Sequence, residues 1–274
     1  MTKIIDAWIN PWSTEVIADW PERNWELARG YGNYERLRGG ISTDEMVAEM
    51  DAAGIDKALL SAGPLIPNEY VEEAVERYPD RLIGVASVDP WGEDGVMGAV
   101  RELRRLVTDK GFVALKLEPF INDKVLTEAR WYPLYAACVD LDITLQTQVG
   151  NSGPPTYRSE TGRPLYVDQV AVEFPELRIV AGHIGSPWAD EMMAIAWKHP
   201  NVWIDTSVYP PKRYPEAFVK FLTTYGQDKA IWASDWPMLD FDRALAGLEH
   251  LGMSDEVRQK FLHDNCVRAF DLKS

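Results

Sequence analysis

Short apolar runs rich in β-branched residues alternate eight times with longer segments of helical period along this 274-residue chain. The strand-like runs are KIIDAWIN (3–10), KALLSA (57–62), LIGVASVD (82–89) and FVALKLEP (112–119), then ITLQTQVG (143–150), RIVAGHIG (178–185), VWIDTSVY (202–209) and AIWASDWP (230–237). Helical patterns separate them. They include STDEMVAEMDAAG (42–54), where Ser42 and Glu45 have capping-box spacing, NEYVEEAVERY (68–78) and DGVMGAVRELRRLV (94–107). Near-continuous apolar strands imply burial on both faces, as in a parallel sheet covered by helices. Eight such units in about 250 residues predict an α/β fold, a (β/α)8 TIM barrel, with 1–274 as a single domain. A doubly wound open sheet is the alternative. Against it, no glycine-rich phosphate loop follows the first strand and no break in composition marks a second domain.

Charge and cysteine content narrow the function classes. With 43 acidic against 28 basic residues the formal net charge is −15, a field that repels nucleic acid and anionic membranes. Cys138 and Cys266 are the two cysteines, both in apolar helical patterns, so neither a disulfide framework nor a cysteine zinc site is expected. No run approaches the roughly 18 apolar residues of a membrane span, and the first residues lack a signal-peptide core. A cytoplasmic protein with a small-molecule substrate, carboxylated or aromatic, is the expectation. An oligomer is expected too, either a homodimer or a pair with a partner of the same fold.

The barrel sorts the polar residues, because active sites of this fold sit at the carboxyl ends of the strands. Those ends carry Trp8 and Asn10, Ser61, Asp89, Lys116 and Glu118, Gln146 and Gln148, His183, Asp205 and Ser207, and Asp235. Lys116 and Glu118 alternate with apolar residues and so share one side, as do Gln146 and Gln148. The lysine suits a carboxylate or a carbonyl, or else an internal ion pair. The two glutamines suit a substrate carbonyl or amide. Two connections are long. Residues 11–41 form a loop with Trp12, Trp20, Trp25 and several tyrosines, placed over the carboxyl face as a lid or against a neighbouring subunit. NSGPPTYRSETGRP (151–164) carries Arg158 and Arg163, anchors for an anionic substrate or solvated loop charges. His199, His250 and His263 fall in helical segments and read as surface or capping groups.

Four segments carry a resemblance: IIDAWINPW at the start, IVAGHIGSPW around His183, IWASDWP around Asp235, and the closing DNCVRAFDL. Together they resemble the amidohydrolase superfamily, in its amidohydrolase-related branch of aminocarboxymuconate-semialdehyde decarboxylase, aromatic-acid decarboxylases, and 2-pyrone-4,6-dicarboxylate and sugar lactonases. In metal-dependent relatives the first strand ends His-x-His and a further histidine ends strand five. Here those positions hold Trp8, Asn10 and Gln148. The resemblance implies that Asp235 matches the strand-eight aspartate, a ligand and base, and that His183 matches the strand-six catalytic acid or base.

Three missing histidine ligands lead to the expectation of no metal site and no cofactor, a weak divalent cation apart. Indole has no lone pair to give, and neutral amides are poor ligands for a transition metal. Metal bound elsewhere, through Glu118 or Asp6, stays open. The function expected is a metal-independent, lactonase-like hydrolase. Asp235 acts as general base, His183 or Lys116 polarises the carbonyl, and Asn10 and Gln148 donate to the oxyanion. Trp8, Glu118, Gln146, Arg158 and Arg163 complete the candidate substrate contacts. A decarboxylase or hydratase is the enzymatic alternative, and a silent partner subunit is the other. An open polar pocket containing Asp235 and His183 favours catalysis, whereas a mouth plugged by Trp8 or by the 11–41 segment favours the silent partner.

Overall fold

The computed structural model describes residues 3–18, 20–30, 32–152 and 156–273. Tyr31 of the first long connection and Gly153, Pro154 and Pro155 of the second lie outside the described residues. All eight expected strands form: β1 (Ile5–Ile9), β2 (Lys57–Ser61), β3 (Leu82–Ala86), β4 (Ala114–Leu117), β5 (Thr144–Thr147), β6 (Ile179–Ala181), β7 (Val202–Asp205) and β8 (Ala230–Ile231). They pair in parallel in sequence order. The ends of the sheet meet where the Ala7 N–H donates to the Trp232 carbonyl (3.3 Å) and the Asn10 N–H to the Trp236 carbonyl (2.9 Å). The strands are shorter than the apolar runs because the last residues of each run leave the ladder and turn toward the site.

Helices fill the connections as the periodicity predicts. The helix Thr43–Ala53 carries the full capping box: Ser42 Oγ accepts from the Glu45 N–H, and the Glu45 carboxylate accepts from the Ser42 N–H. Such a cap is worth about 1 kcal/mol. Two apolar layers result. Ile5, Ala7, Leu59, Val85, Ala114, Val180 and Ile231 fill the barrel interior, and Cys266, Ala269 and Phe270 of the closing helix pack against them. Thr144 Oγ1 donates to the Ala269 carbonyl (2.6 Å), fastening that helix to β5. The larger layer lies between strands and outer helices. Both cysteines are free and buried. Among the described residues no helix is long and apolar enough to cross a membrane.

The 11–41 segment is more ordered than a loop. It holds the short helices Thr14–Ile17, Glu22–Arg29 and Tyr34–Gly39. Trp12, Trp20 and Trp25 pack edge-on or tilted, with ring centroids 4.4 to 6.4 Å apart. Asn33 Nδ2 ties the segment to the Pro237 carbonyl (2.9 Å), just beyond β8. The length that reads as a loop therefore folds around its own tryptophans and leans on the carboxyl end of the barrel.

Candidate active site

Polar residues at the ends of β1, β4, β5, β6 and β8 open into one cavity of about 340 Å³. Its floor is Trp8, Asn10, Lys116, Glu118, Gln148, His183 and Asp235, and its walls include Trp12, Trp20, Leu65, Ile66, Phe120, Tyr157 and Met238. Trp8 is part of the floor and does not plug the mouth. The open polar pocket that favours catalysis over a silent partner is the one present.

Hydrogen bonds and ring contacts hold the floor. Asn10 Nδ2 donates to Asp235 Oδ1 (2.9 Å) and to the Trp236 carbonyl (3.1 Å), while Asn10 Oδ1 accepts from Lys116 Nζ at 3.3 Å. Lys116 is buried, lies 3.7 Å from Glu118 Oε2, and stands 4.7 Å above the Trp8 ring. A desolvated ammonium over an indole gains about 2 kcal/mol. The Trp8 ring also meets the His183 imidazole, with centroids 5.1 Å apart. Tryptophan at position 8 therefore packs against both the cation and the imidazole.

Backbone strain gathers at the same end. His183, Ile184, Val208 and Asp235 all have positive φ, between 57° and 67°. For non-glycine residues this costs on the order of 1–3 kcal/mol each, and it persists only where the surroundings enforce it. At Asp235 the enforcement is local: its N–H donates to the Trp8 carbonyl and its carbonyl accepts from the Met238 N–H, both at 2.9 Å.

Burial sets the proton affinities. Asp235 is pushed up to about 7 by desolvation, against the pull of the Asn10 hydrogen bond and of Lys116. His183 is pushed down to about 4, again mainly by desolvation, with Lys116 adding to the effect. At neutral pH the imidazole is thus uncharged and the carboxyl group is poised between its two forms. Asp205 and Asp6, beside and beneath the floor, are raised by burial to about 6 and about 7.

Three expected contacts fall outside the cavity. Gln146 is fully buried below the floor, where its Nε2 donates to the Ala7 carbonyl at 2.7 Å, and it does not line the cavity. Gln148, its partner in the sequence pattern, does line the cavity, and its buried Oε1 has no hydrogen-bond partner among the described residues. Arg158 turns outward to Asp123 (2.8 and 2.6 Å), and Arg163 pairs with Glu191 and lies over Trp188. Asp6 accepts from the Trp8 and Ser234 N–H groups beneath the site and does not line it. The wall residues Leu65, Ile66, Phe120 and Met238 were invisible in the sequence, because they carry no motif and lie on three separate connections.

Groups with displaced proton affinities converge on a cavity at the one end of a parallel barrel where this fold carries out chemistry, and that makes the molecule a barrel enzyme. The chain belongs to the amidohydrolase family, whose model matches residues 5–272. A gamma-resorcylate decarboxylase from Polaromonas sp. is 25% identical over an alignment that covers 93% of this chain and 91% of that one. A 2-keto-4-carboxy-3-hexenedioate hydratase from Sphingobium sp. is 26% identical over 170 residues, about half of each chain (52% and 50%). Among solved structures, an uncharacterised TIM-barrel protein from Bordetella bronchiseptica superposes with a TM-score of 0.82 at 23% identity, covering 98% of both chains. A dihydroxybenzoic acid decarboxylase from Polaromonas sp., solved with manganese and 2-nitroresorcinol, superposes at 0.73 with 20% identity, covering 99% of this chain and 98% of that one.

The manganese in that decarboxylase corrects the expectation that no cofactor serves such a site: the relative points to a metal rather than none. The physical reason is that manganese is a hard ion that accepts carboxylate and carbonyl oxygens, so counting lost histidines is not decisive. Asp235, Glu118, Asn10 and Gln148 supply oxygens around the cavity, but the Lys116 ammonium stands among them. Among the described residues no three His, Cys, Asp or Glu side chains gather closely enough to hold an ion. As arranged here the residues do not fit a bound dication.

Proposed function

We propose that the chain is a carboxy-lyase that releases the carboxylate of a small hydroxylated aromatic acid as carbon dioxide. The observation that carries this reading is the division of the cavity: aromatic and aliphatic walls above, and below them a floor in which the Lys116 cation lines the same cavity as His183 and Asp235. A planar ring is placed against Trp20 on one side and the contacting Phe120–Tyr157 pair on the other, with its carboxylate on the lysine. A hydrogen bond of this charged kind is worth about 1.5–3 kcal/mol.

Asp235 keeps its proton up to about pH 7 and is the acid. It protonates the ring carbon that bears the carboxylate. The carbon–carbon bond then breaks, its electron pair returns to the ring, and carbon dioxide leaves. The Asp235 carboxylate regains a proton from water. Neutral His183 accepts from a ring hydroxyl and so raises the electron density at the carbon to be protonated. The decarboxylase that matches most of the chain supports this reading.

Addition of water, in a hydratase or a lactonase-like hydrolase, is the second reading. It is favoured by the neutral imidazole, a ready base, and by the hydratase relative. The test is a panel of hydroxybenzoates run beside small lactones and enoates, each with and without added manganese. Carbon dioxide and the decarboxylated ring are the expected products. Turnover of a lactone or enoate with no carbon dioxide released from any acid would replace the first reading with the second.

A further inference from the structure

We propose that Asp205 and Ser207 are positioning residues that hold His183 with its proton on Nδ1, leaving Nε2 as a lone-pair acceptor toward the cavity. The inference rests on the proton-handling role given to His183 above and specifies which nitrogen performs it. Asp205 ends β7, and Ser207 follows two residues later on the same side of the chain. β7 is the parallel neighbour of β6, with Ala181 level with Ile204, so both residues lie beside the turn that carries His183.

Donor and acceptor arithmetic decides the tautomer. His183 Nδ1 lies 3.3 Å from the Ser207 carbonyl, which can only accept, and 2.7 Å from Ser207 Oγ. The serine hydroxyl has one proton, and that proton goes to Asp205 Oδ1. Ser207 Oγ then has only lone pairs to offer the ring. Both neighbours of Nδ1 are acceptors, so Nδ1 must carry the hydrogen. Among the described residues no side chain or backbone group bonds Nε2, and His183 lines the cavity. Free histidine in water prefers the opposite tautomer, so the protein imposes this one.

The same carboxylate oxygen holds the backbone. Asp205 Oδ1 also accepts from the Ser207 N–H (2.9 Å) and the His183 N–H (3.3 Å). Those bonds keep His183 at φ 62°, a conformation that would otherwise relax and swing the ring away. Ring orientation and proton location thus come from one anionic group that itself touches no substrate.

The test uses intact protein labelled with 15N-histidine and long-range proton–nitrogen spectra at pH 7. The chain has four histidines, and His183→Gln identifies the relevant signal by its loss. The expected result is a pyrrole-type Nδ1 and a pyridine-type Nε2 for His183. A pyrrole-type Nε2, or an imidazolium, overturns the inference whatever the enzyme turns over. Ser207→Ala should admit the Nε2–H form and lower kcat about tenfold or more with KM held within about twofold, and Ser207→Thr should restore both. An unchanged tautomer and kcat in Ser207→Ala would remove Ser207 from the role. If Nδ1 carries the proton but no aromatic acid is decarboxylated, the positioning stands and the proposed reaction fails.

Discussion

Replacing Asp235 with asparagine should move activity and stability in opposite directions. The substitution keeps the shape and an acceptor oxygen for Asn10 Nδ2, which lies 2.9 Å away, and removes only the charge. The wild-type carboxyl is raised from 3.8 to about 7 because burial disfavours the anion. A group whose folded value lies above its unfolded value adds stability at low pH and loses it as pH rises through the folded value. Between pH 5 and pH 9 that loss covers about two pH units, or roughly 2–3 kcal/mol at about 1.4 kcal/mol per unit. Asp235 is partly open to the cavity, and water there trims the effect toward the lower figure. The Asp235→Asn variant should already melt above wild type at pH 5, and its advantage should grow by roughly 5 °C between pH 5 and pH 9. Asp6, Asp205 and His183 titrate in both proteins, so the difference between the two curves isolates position 235. Differential scanning calorimetry at constant ionic strength reads it, and turnover measured alongside should fall about 100-fold or more. Parallel melting curves across the whole range would show that the fold does not disfavour the Asp235 anion, and the assignment of this group as the acid would fall with them.

Turnover by the proposed reaction should decline as pH rises through about 7, where Asp235 loses its proton, and hold on the acid side until His183 protonates near 4; a rate rising from pH 6 to pH 9 would contradict it. Lys116→Met should raise KM for an aromatic acid about tenfold or more, since the charged hydrogen bond is lost. The same variant removes a positive charge from among the oxygen donors and should bind manganese at least about tenfold more tightly in a calorimetric titration; equal affinity would show that the ammonium does not oppose the ion. Arg158→Ala and Arg163→Ala should leave kcat/KM within about twofold, because both guanidinium groups face acidic partners outside the cavity. Gly182→Ala would bring a methyl group to 2.8 Å from Trp8 Cζ3 in the floor. That overpacking should destabilise the fold by about 1–3 kcal/mol in a denaturant titration, and an unaffected variant would mean the floor is looser than described.

The linear pattern specifies the eight strands, the capped helix after Ser42, and the end of the barrel where Asn10, Lys116, Glu118, Gln148, His183 and Asp235 meet. These follow from local period and from residue types at strand ends, which a linear reading captures. What each group does there follows from packing across the barrel. Gln146 and Gln148 are indistinguishable in QTQVG, yet one bonds the Ala7 carbonyl below the floor and the other lines the cavity. Arg158 and Arg163 sit in a loop of the right face but turn to Asp123 and Glu191, which lie 35 and 28 residues away in sequence. The proton location on His183 depends on Asp205 and Ser207, which sequence places only at the end of a neighbouring strand. The missing histidines were legible, but their meaning was not. What Trp8 and Asn10 do depends on Lys116, which lies over the indole ring and bonds the amide oxygen from more than a hundred residues away. Burial and pairing across the barrel are non-local, and they set charge state, tautomer and donor geometry; the pattern along the chain carries none of the three.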